Sequence, residues 1–474
     1  MRNFWLGLMF LLSACGGGGS SGSTAGTGAT GTTGTGTQTS SSCSLRMRQD
    51  FVLAALQDNY LFPETLPASL DPAQFSTLSS YVDGLTATAR SQRRDRFFTF
   101  VTSIADENAF FASGSSAGFG IRVSTDATAG KTFVSEAFEG APALAAGIDR
   151  GTEIVAIGDT PSNLRNVSDI IVAQGAGGVS AALGPSTAGL ARTLRITDSS
   201  GTRDVTVTKA NYDLIPVSSR YGAQVIDDGG RKVAYLNLRT FISSADPQLR
   251  TAFDQFRAQG VTDFVIDFRY NGGGLVSIAE LIGDLLGANR STSDVFAFRT
   301  FKPEKSSQNS TRRFAPKPQS VAPVRIAFIT TGATASASEL VINSMSPYLG
   351  ANEALIGSNS FGKPVGQIAV DRAACDDRLR VVAFSEQNAA NAGFYYDGLA
   401  GRVGASCAAG DDLKHPLGDP QEASVRQALD FIAGKSCTPI TASGAQTSQS
   451  LRSVPELMTP SNPTTAQREV PGLF

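Results

Sequence analysis

Residues 326–370 read IAFITTGATASASELVINSMSPYLGANEALIGSNSFGKPVGQIAV, and the rest of the chain is organised around them. The apolar, partly β-branched run at 324–330 fits a buried strand. A tight turn of small residues follows at 331–336. From Ala337 the period changes: Leu340, Ile342, Met345 and Leu349 recur at roughly helical spacing. Ser336 therefore stands where strand passes to helix, beside backbone N–H groups that have no intrahelical partner and point at any negative charge developing there. A second apolar piece, 354–357, leads to Phe361, Gly362, Lys363 and Pro364. Lys363 is set among small and apolar residues; buried there, its pKa falls and it can act as a base toward a serine hydroxyl.

Further stretches extend this reading. TASASE at 334–339, FGKPVGQ at 361–367 and DFRYNGGG at 267–274 together resemble the carboxyl-terminal processing, or tail-specific, proteases. In that family the nucleophile is the serine three residues before a glutamate, which implies Ser336 with Glu339 following. The family lysine falls on Lys363 and the glutamine four residues later on Gln367. Pro364 stands where the family more often has glycine, and a slightly long Ser-to-Lys separation implies a longer connecting loop. The resemblance spans about residues 45–433. It also implies a second active-site strand at 261–268, whose glycines let backbone approach a scissile carbonyl. The amide of Gly272 or Gly273, with that of Ala337, is expected to form the oxyanion hole. A phosphate loop is excluded because no Lys-Ser/Thr pair follows these glycines. A Ser-His-Asp triad would have to use His415, the single histidine, which sits in the loop-like DDLKHPLGDP. One histidine and no clustered thiolate motif leave zinc hydrolysis unsupported, and no metal or organic cofactor is expected.

Residues 116–211 resemble a PDZ domain, on AGFGI at 117–121 and GAPALAAGIDRGTEIVAIGDTP at 140–161. The resemblance implies that Phe119, Gly120 and Ile121 receive a chain-terminal carboxylate while the peptide adds as a strand to a sheet edge. Residues 175–191 are rich in Gly, Ala and Ser and are expected to cover the PDZ helix and a neighbouring loop. Residues 192–209 alternate as a hairpin. Before this module, 44–108 reads mainly helical, with apolar faces at 47–56 and 73–85 and a third apolar segment at 97–104. After it, strands at 232–241, 261–268 and 379–384 interleave with helices at 248–259, 275–286 and 422–433, which argues a mixed α/β core. Residues 294–318 read as polar loop, and 388–412 as irregular.

The ends read differently. Residues 1–15, MRNFWLGLMFLLSAC, place an arginine before an apolar run too short for a membrane span. Leu12 to Cys15 resemble a bacterial lipobox, which implies cleavage before Cys15 and lipid on its thiol. Gly16 after the cysteine favours the outer membrane, facing the periplasm. Residues 16–42 are almost wholly Gly, Ser, Thr and Ala, a tether with a reach of about 30 Å. Cys43, Cys375, Cys407 and Cys437 remain, an even number in an oxidising compartment. Three pairings exist; Cys375–Cys407 with Cys43–Cys437 is the expected one. Residues 438–474 are rich in Ser, Thr, Pro and Gln and read as disordered. They end in Pro471, Gly472, Leu473 and Phe474, a sequence suited to an apolar PDZ pocket, so self-binding is one expectation.

The expected organisation is an α/β multidomain chain: signal peptide and lipobox at 1–15, linker at 16–42, helical subdomain at 43–112, PDZ domain at 113–215, protease core at 216–437 and tail at 438–474. A formal charge of −2 and a pI of about 5.7 point to no nucleic-acid groove. The expected activity is a Ser-Lys serine endopeptidase acting on envelope proteins or peptides chosen by apolar C-termini. The expected partners are those C-termini, the membrane through Cys15, and a regulatory partner or a second copy. The alternative is a non-catalytic or latent PDZ lipoprotein that binds C-termini.

Overall fold

The computed structural model describes residues 43–441 and 455–474. The described residues form one compact unit. Its centre is a six-stranded sheet in the order Ala223–Asp228, Arg231–Asn237, Asp263–Asp267, Arg325–Thr330, Glu353–Gly357, Ala405–Ala408. The first pair is antiparallel and the remaining pairs are parallel. Parallel strands covered on both faces are apolar throughout rather than alternating. Accordingly, Phe264, Ile266, Ile326 and Phe328 face helices Ala245–Ala258, Val276–Leu285 and Ala337–Leu349. Their neighbours Val265, Ala327 and Ile329 turn to the other face, against helix Ala423–Ile432. Rings of Phe268 and Phe328 stack at 6.0 Å across adjacent strands.

A second sheet joins Phe100–Ser103, Asp377–Gln387, Val295–Phe301 and Ser310–Arg313, with Val365–Arg372 also paired to Asp377–Gln387. Helices Leu45–Asn59 and Leu78–Leu85 pack Val52, Leu56, Tyr81 and Leu85 onto its Leu379 and Val381. The third apolar segment, within the region read as mainly helical, contains strand Phe100–Ser103. A helix follows it at Ile104–Ser113. Residues 294–318, read as polar loop, instead contain the hairpin Val295–Phe301 and Ser310–Arg313. Two of the scattered aromatics there, Phe296 and Phe314, are buried edge to face against each other.

A third sheet builds a β-module from Ile121–Asp126, Lys131–Ala137, Glu153–Gly158, Ala191–Asp198 and Gly201–Thr208, with helix Val167–Leu183 beside it. The last two strands are the expected hairpin. The edge strand Ile121–Asp126 pairs with Glu456–Leu457, so residues 455–474 depart from the disorder expected of them. Their composition is polar, but Met458, Val470, Leu473 and Phe474 are buried in grooves already formed by the rest of the fold.

The disulfides are Cys43–Cys375 and Cys407–Cys437, not the expected pairs. The cause is long-range packing. Arg48, on the first helix, pairs with Asp377, which brings Cys43 beside Cys375 with Cα atoms 5.6 Å apart. Ala408 donates to the Thr438 carbonyl at 2.8 Å, laying Cys437 along the edge strand that carries Cys407. Cys15 lies outside the described residues. Among the described residues no helix is long and apolar enough to cross a membrane.

Candidate active site

Ser336 sits between strand Arg325–Thr330 and helix Ala337–Leu349, with φ 55° and ψ −113°. A positive φ is costly for a side chain other than glycine, and it survives only where the surroundings hold it. Here they do. Ala335 N–H donates to the Asn271 carbonyl at 3.0 Å, and Thr334 Oγ1 to the Phe268 carbonyl at 2.8 Å. The Ser336 amide donates to Glu339 Oε2 at 3.0 Å. Gly273 completes the turn: a Cβ there would stand 2.8 Å from Ser336 Cβ.

Glu339 is fully buried and ties this turn to the lysine loop. Its Oε1 accepts from Gly362 N–H at 2.6 Å, and its Oε2 also accepts from Lys363 N–H at 2.7 Å. Burial raises its carboxyl above the ordinary value, opposed by these bonds and by Ser360. Arg96 braces the same loop by donating to the Phe361 carbonyl at 2.7 Å. The side chain of Lys363 then points to Gln367, with Nζ 2.8 Å from Oε1. Gln367 is oriented by its own Nε2, which donates to the Phe98 carbonyl. Lys363 Nζ lies 5.0 Å from the centre of the Phe98 ring. Burial lowers the pKa of this ammonium, partly offset by the charges of Glu469 and Asp95.

Ser336, Lys363 and Gln367 line one cavity of about 170 Å³, together with Arg380 and Glu469. No hydrogen bond joins Ser336 Oγ to Lys363 Nζ among the described residues. Of the three amides expected at the oxyanion hole, that of Gly273 is occupied by Asn271 Oδ1 at 2.9 Å. Among the described residues the amides of Gly272 and Ala337 meet no protein acceptor. His415 is elsewhere, in a loop, paired through Nδ1 with Asp412 Oδ2 at 2.5 Å. No cluster of His, Cys, Asp or Glu suited to a metal occurs among the described residues.

Phe119, Gly120 and Ile121 converge on Phe474 of the same chain. The Gly120 and Ile121 amides donate to the Phe474 oxygen at 2.9 and 3.3 Å, and Phe474 N–H donates to the Ile121 carbonyl at 2.9 Å. Gly120 has φ 76°, and a Cβ on it would strike that of Ala141 at 2.0 Å, so only glycine serves. Sequence reasoning did not assign Glu339, Arg96 or Glu469 a role. Glu339 had a signal, since a serine followed three residues later by glutamate is a helix-start pattern. Arg96 and Glu469 had none, being distant in sequence from the residues they serve.

Residues 232–384 match the family model of peptidase family S41. The chain is 27% identical over 276 residues to the chloroplastic C-terminal processing peptidase of Tetradesmus obliquus, covering 55% of this chain and 54% of that protein. It is 26% identical over 256 residues to a carboxyl-terminal-processing protease of Picosynechococcus, covering 53% and 55%. The chain thus spans about half the length of these curated relatives. Among solved structures, it is similar in fold to a putative S41 protease from Bacteroides fragilis, with TM-score 0.61 and 22% identity over 81% of this chain and 97% of that one.

Proposed function

We propose that this chain, whose residues 232–384 match peptidase family S41, is a serine endopeptidase with a Ser336–Lys363 dyad. One observation carries the reading: a serine held at positive φ at the head of a helix shares a cavity with a lysine whose burial favours the neutral amine. Lys363 takes the Ser336 proton as Oγ forms a bond to the substrate carbonyl carbon. The amides of Gly272 and Ala337 receive the oxyanion; such a donor is typically worth about 3 kcal/mol in the transition state. As the carbon–nitrogen bond breaks, Lys363 returns its proton to the leaving amine, and a serine ester remains. Water then gives a proton to Lys363 and attacks the ester carbon; the carbon–Oγ bond breaks, Lys363 returns the proton to Oγ, and the carboxyl product leaves. Gln367 holds the amine in place through its hydrogen bond. The steps need neither metal nor organic cofactor.

The β-module acts as a PDZ domain, and the substrates are envelope proteins or peptides with apolar C-termini. Lipid on Cys15 anchors the enzyme to the outer membrane on its periplasmic side. A latent enzyme is the second reading, favoured by Phe474 lying in the groove that a substrate terminus would use. The test is turnover of an unstructured protein with an apolar C-terminus by the chain from Cys43 onward, beside Ser336→Ala and Lys363→Ala. Cleavage by the parent and its loss in both variants, with circular dichroism unchanged, is the expected result. Cleavage that survives Ser336→Ala would overturn the dyad.

A further inference from the structure

We propose that residues 464–474 are an intrachain ligand of the β-module groove that covers the catalytic cavity, and that a protein segment with a large apolar residue in the place of Phe474 exchanges for it and opens the site. The effect on turnover rests on the peptidase reading; the occupancy does not.

The groove is occupied as a strand-adding peptide would occupy it. Val123 N–H donates to the Gly472 carbonyl at 2.8 Å, and Phe474 shares three backbone bonds with 120–121. The Phe474 ring is 1% exposed and packs with Phe119, Ile121, Val179 and Leu183. Upstream, helix Thr465–Glu469 bridges to the N-terminal part of the molecule. Thr465 Oγ1 lies 2.6 Å from Thr102 Oγ1, and the Arg468 guanidinium lies 4.3 Å from the Phe100 ring centre.

Between these two attachments the backbone runs across the glycine loop. A Cβ at Gly272 would lie 2.9 Å from the Glu469 carbonyl and 3.2 Å from that of Arg468. Glu469 itself lines the cavity with Ser336 and Lys363. The segment is a cover and not a substrate in this pose. Val470 N–H donates to the Ala466 carbonyl at 2.8 Å, which keeps the 469–470 peptide bond in a helical turn instead of the open geometry attack requires.

One buried side chain links the groove to the loop. Arg122, 0% exposed, donates through Nη1 to the Pro471 carbonyl at 2.8 Å and to the Tyr270 carbonyl at 2.9 Å. Glu136 holds its Nε at 2.8 Å. Tyr270 has φ 63° and lies two residues before Gly272. Loss of the tail therefore removes one of the acceptors that set Arg122 against this loop. A competing segment shifts the population only by binding the open form better than the tail does.

The test uses the compact chain from Cys43 onward with Ser336→Ala, and a fluorescent peptide of residues 467–474, QREVPGLF. Phe474→Ala is expected to raise peptide affinity at least tenfold over the parent. In a Ser336→Cys background, the same change is expected to speed maleimide labelling of the introduced thiol by a similar factor. With Ser336 intact, it is expected to raise turnover of a short peptide, and added QREVPGLF is expected to do likewise in the parent. Unchanged peptide affinity and unchanged labelling on Phe474→Ala would overturn the proposal. So would protection that deepens with protein concentration, which would assign the occupant to a neighbouring copy. Affinity and labelling that shift while no form turns over substrate would support the cover and overturn the peptidase reading.

Discussion

Lys363 is the residue whose chemistry depends most on its surroundings. Burial lowers its pKa from 10.5, so the neutral amine becomes available below that pH. Turnover is expected to rise with pH through the lowered pKa and then to level, because the base is active only when deprotonated. A pH–rate profile checks this. In the covered form Glu469 is the largest charge holding that pKa up. Lys363→Ala should cost 10²- to 10⁴-fold, roughly the range for general base catalysis. Glu339 acts on geometry. Glu339→Ala strips the acceptor from three amides, those of Ser336, Gly362 and Lys363. Each buried amide left unpaired costs about 1–3 kcal/mol, so urea unfolding should show a loss of several kcal/mol together with lost turnover. Ser336 and Lys363 were singled out in the sequence by the resemblance of 334–339 and 361–367 to the processing proteases, not by composition or spacing alone. Glu339's triple acceptance was not, since it exists only once the lysine loop folds back over the helix start.

Strand Glu353–Gly357 carries a group that makes stability depend on pH. Glu353 is buried, accepts from Ser346 Oγ at 2.5 Å and has no partner for Oε1 among the described residues. Burial pushes its carboxyl from 4.5 up to about 8. The folded state therefore prefers the protonated acid. The stabilisation is complete below 4.5, where the unfolded carboxyl is also protonated, and is lost as pH rises through about 8. Between those values stability should fall by about 1.4 kcal/mol per pH unit from this group. Glu353→Gln should flatten that slope in urea titrations from about pH 5 to 8. Most elements were legible from periodicity: strands at 231–237, 263–267 and 325–330 and the helix beginning at Ala337 follow apolar runs. Hairpin 295–313 was not, because its inward residues are spaced by turns and by a register shift rather than by strict alternation.

At the scale of the molecule, the Cys43–Cys375 disulfide closes 332 residues of chain. Cross-linking so long a loop restricts the unfolded ensemble, and replacing both cysteines with serine should lower stability by about 2–5 kcal/mol in urea. The same bridge ties the first helix to the sheet that carries Gln367, so the double variant should also lose part of its turnover. Cys407–Cys437 closes a far shorter loop, with a separation of 30, and its removal should cost less.

The sequence by itself determined the strand-to-helix seat of Ser336, the spacing to Lys363 and Gln367, and the apolar runs that build the core sheet. The seat and the apolar runs are properties of neighbouring residues, expressed by the periods of 2 and 3.6, whereas Lys363 and Gln367 were singled out by the resemblance to the processing proteases. The tertiary structure alone decided the cysteine partners, the Gly272 amide that meets no protein acceptor among the described residues, the buried Arg122 between groove and loop, and the docking of 455–470, whereas 471–474 were already suited in sequence to an apolar groove. Each depends on groups brought together across large sequence separations. A polar tail orders only where another part of the fold already presents a groove to bury its apolar residues.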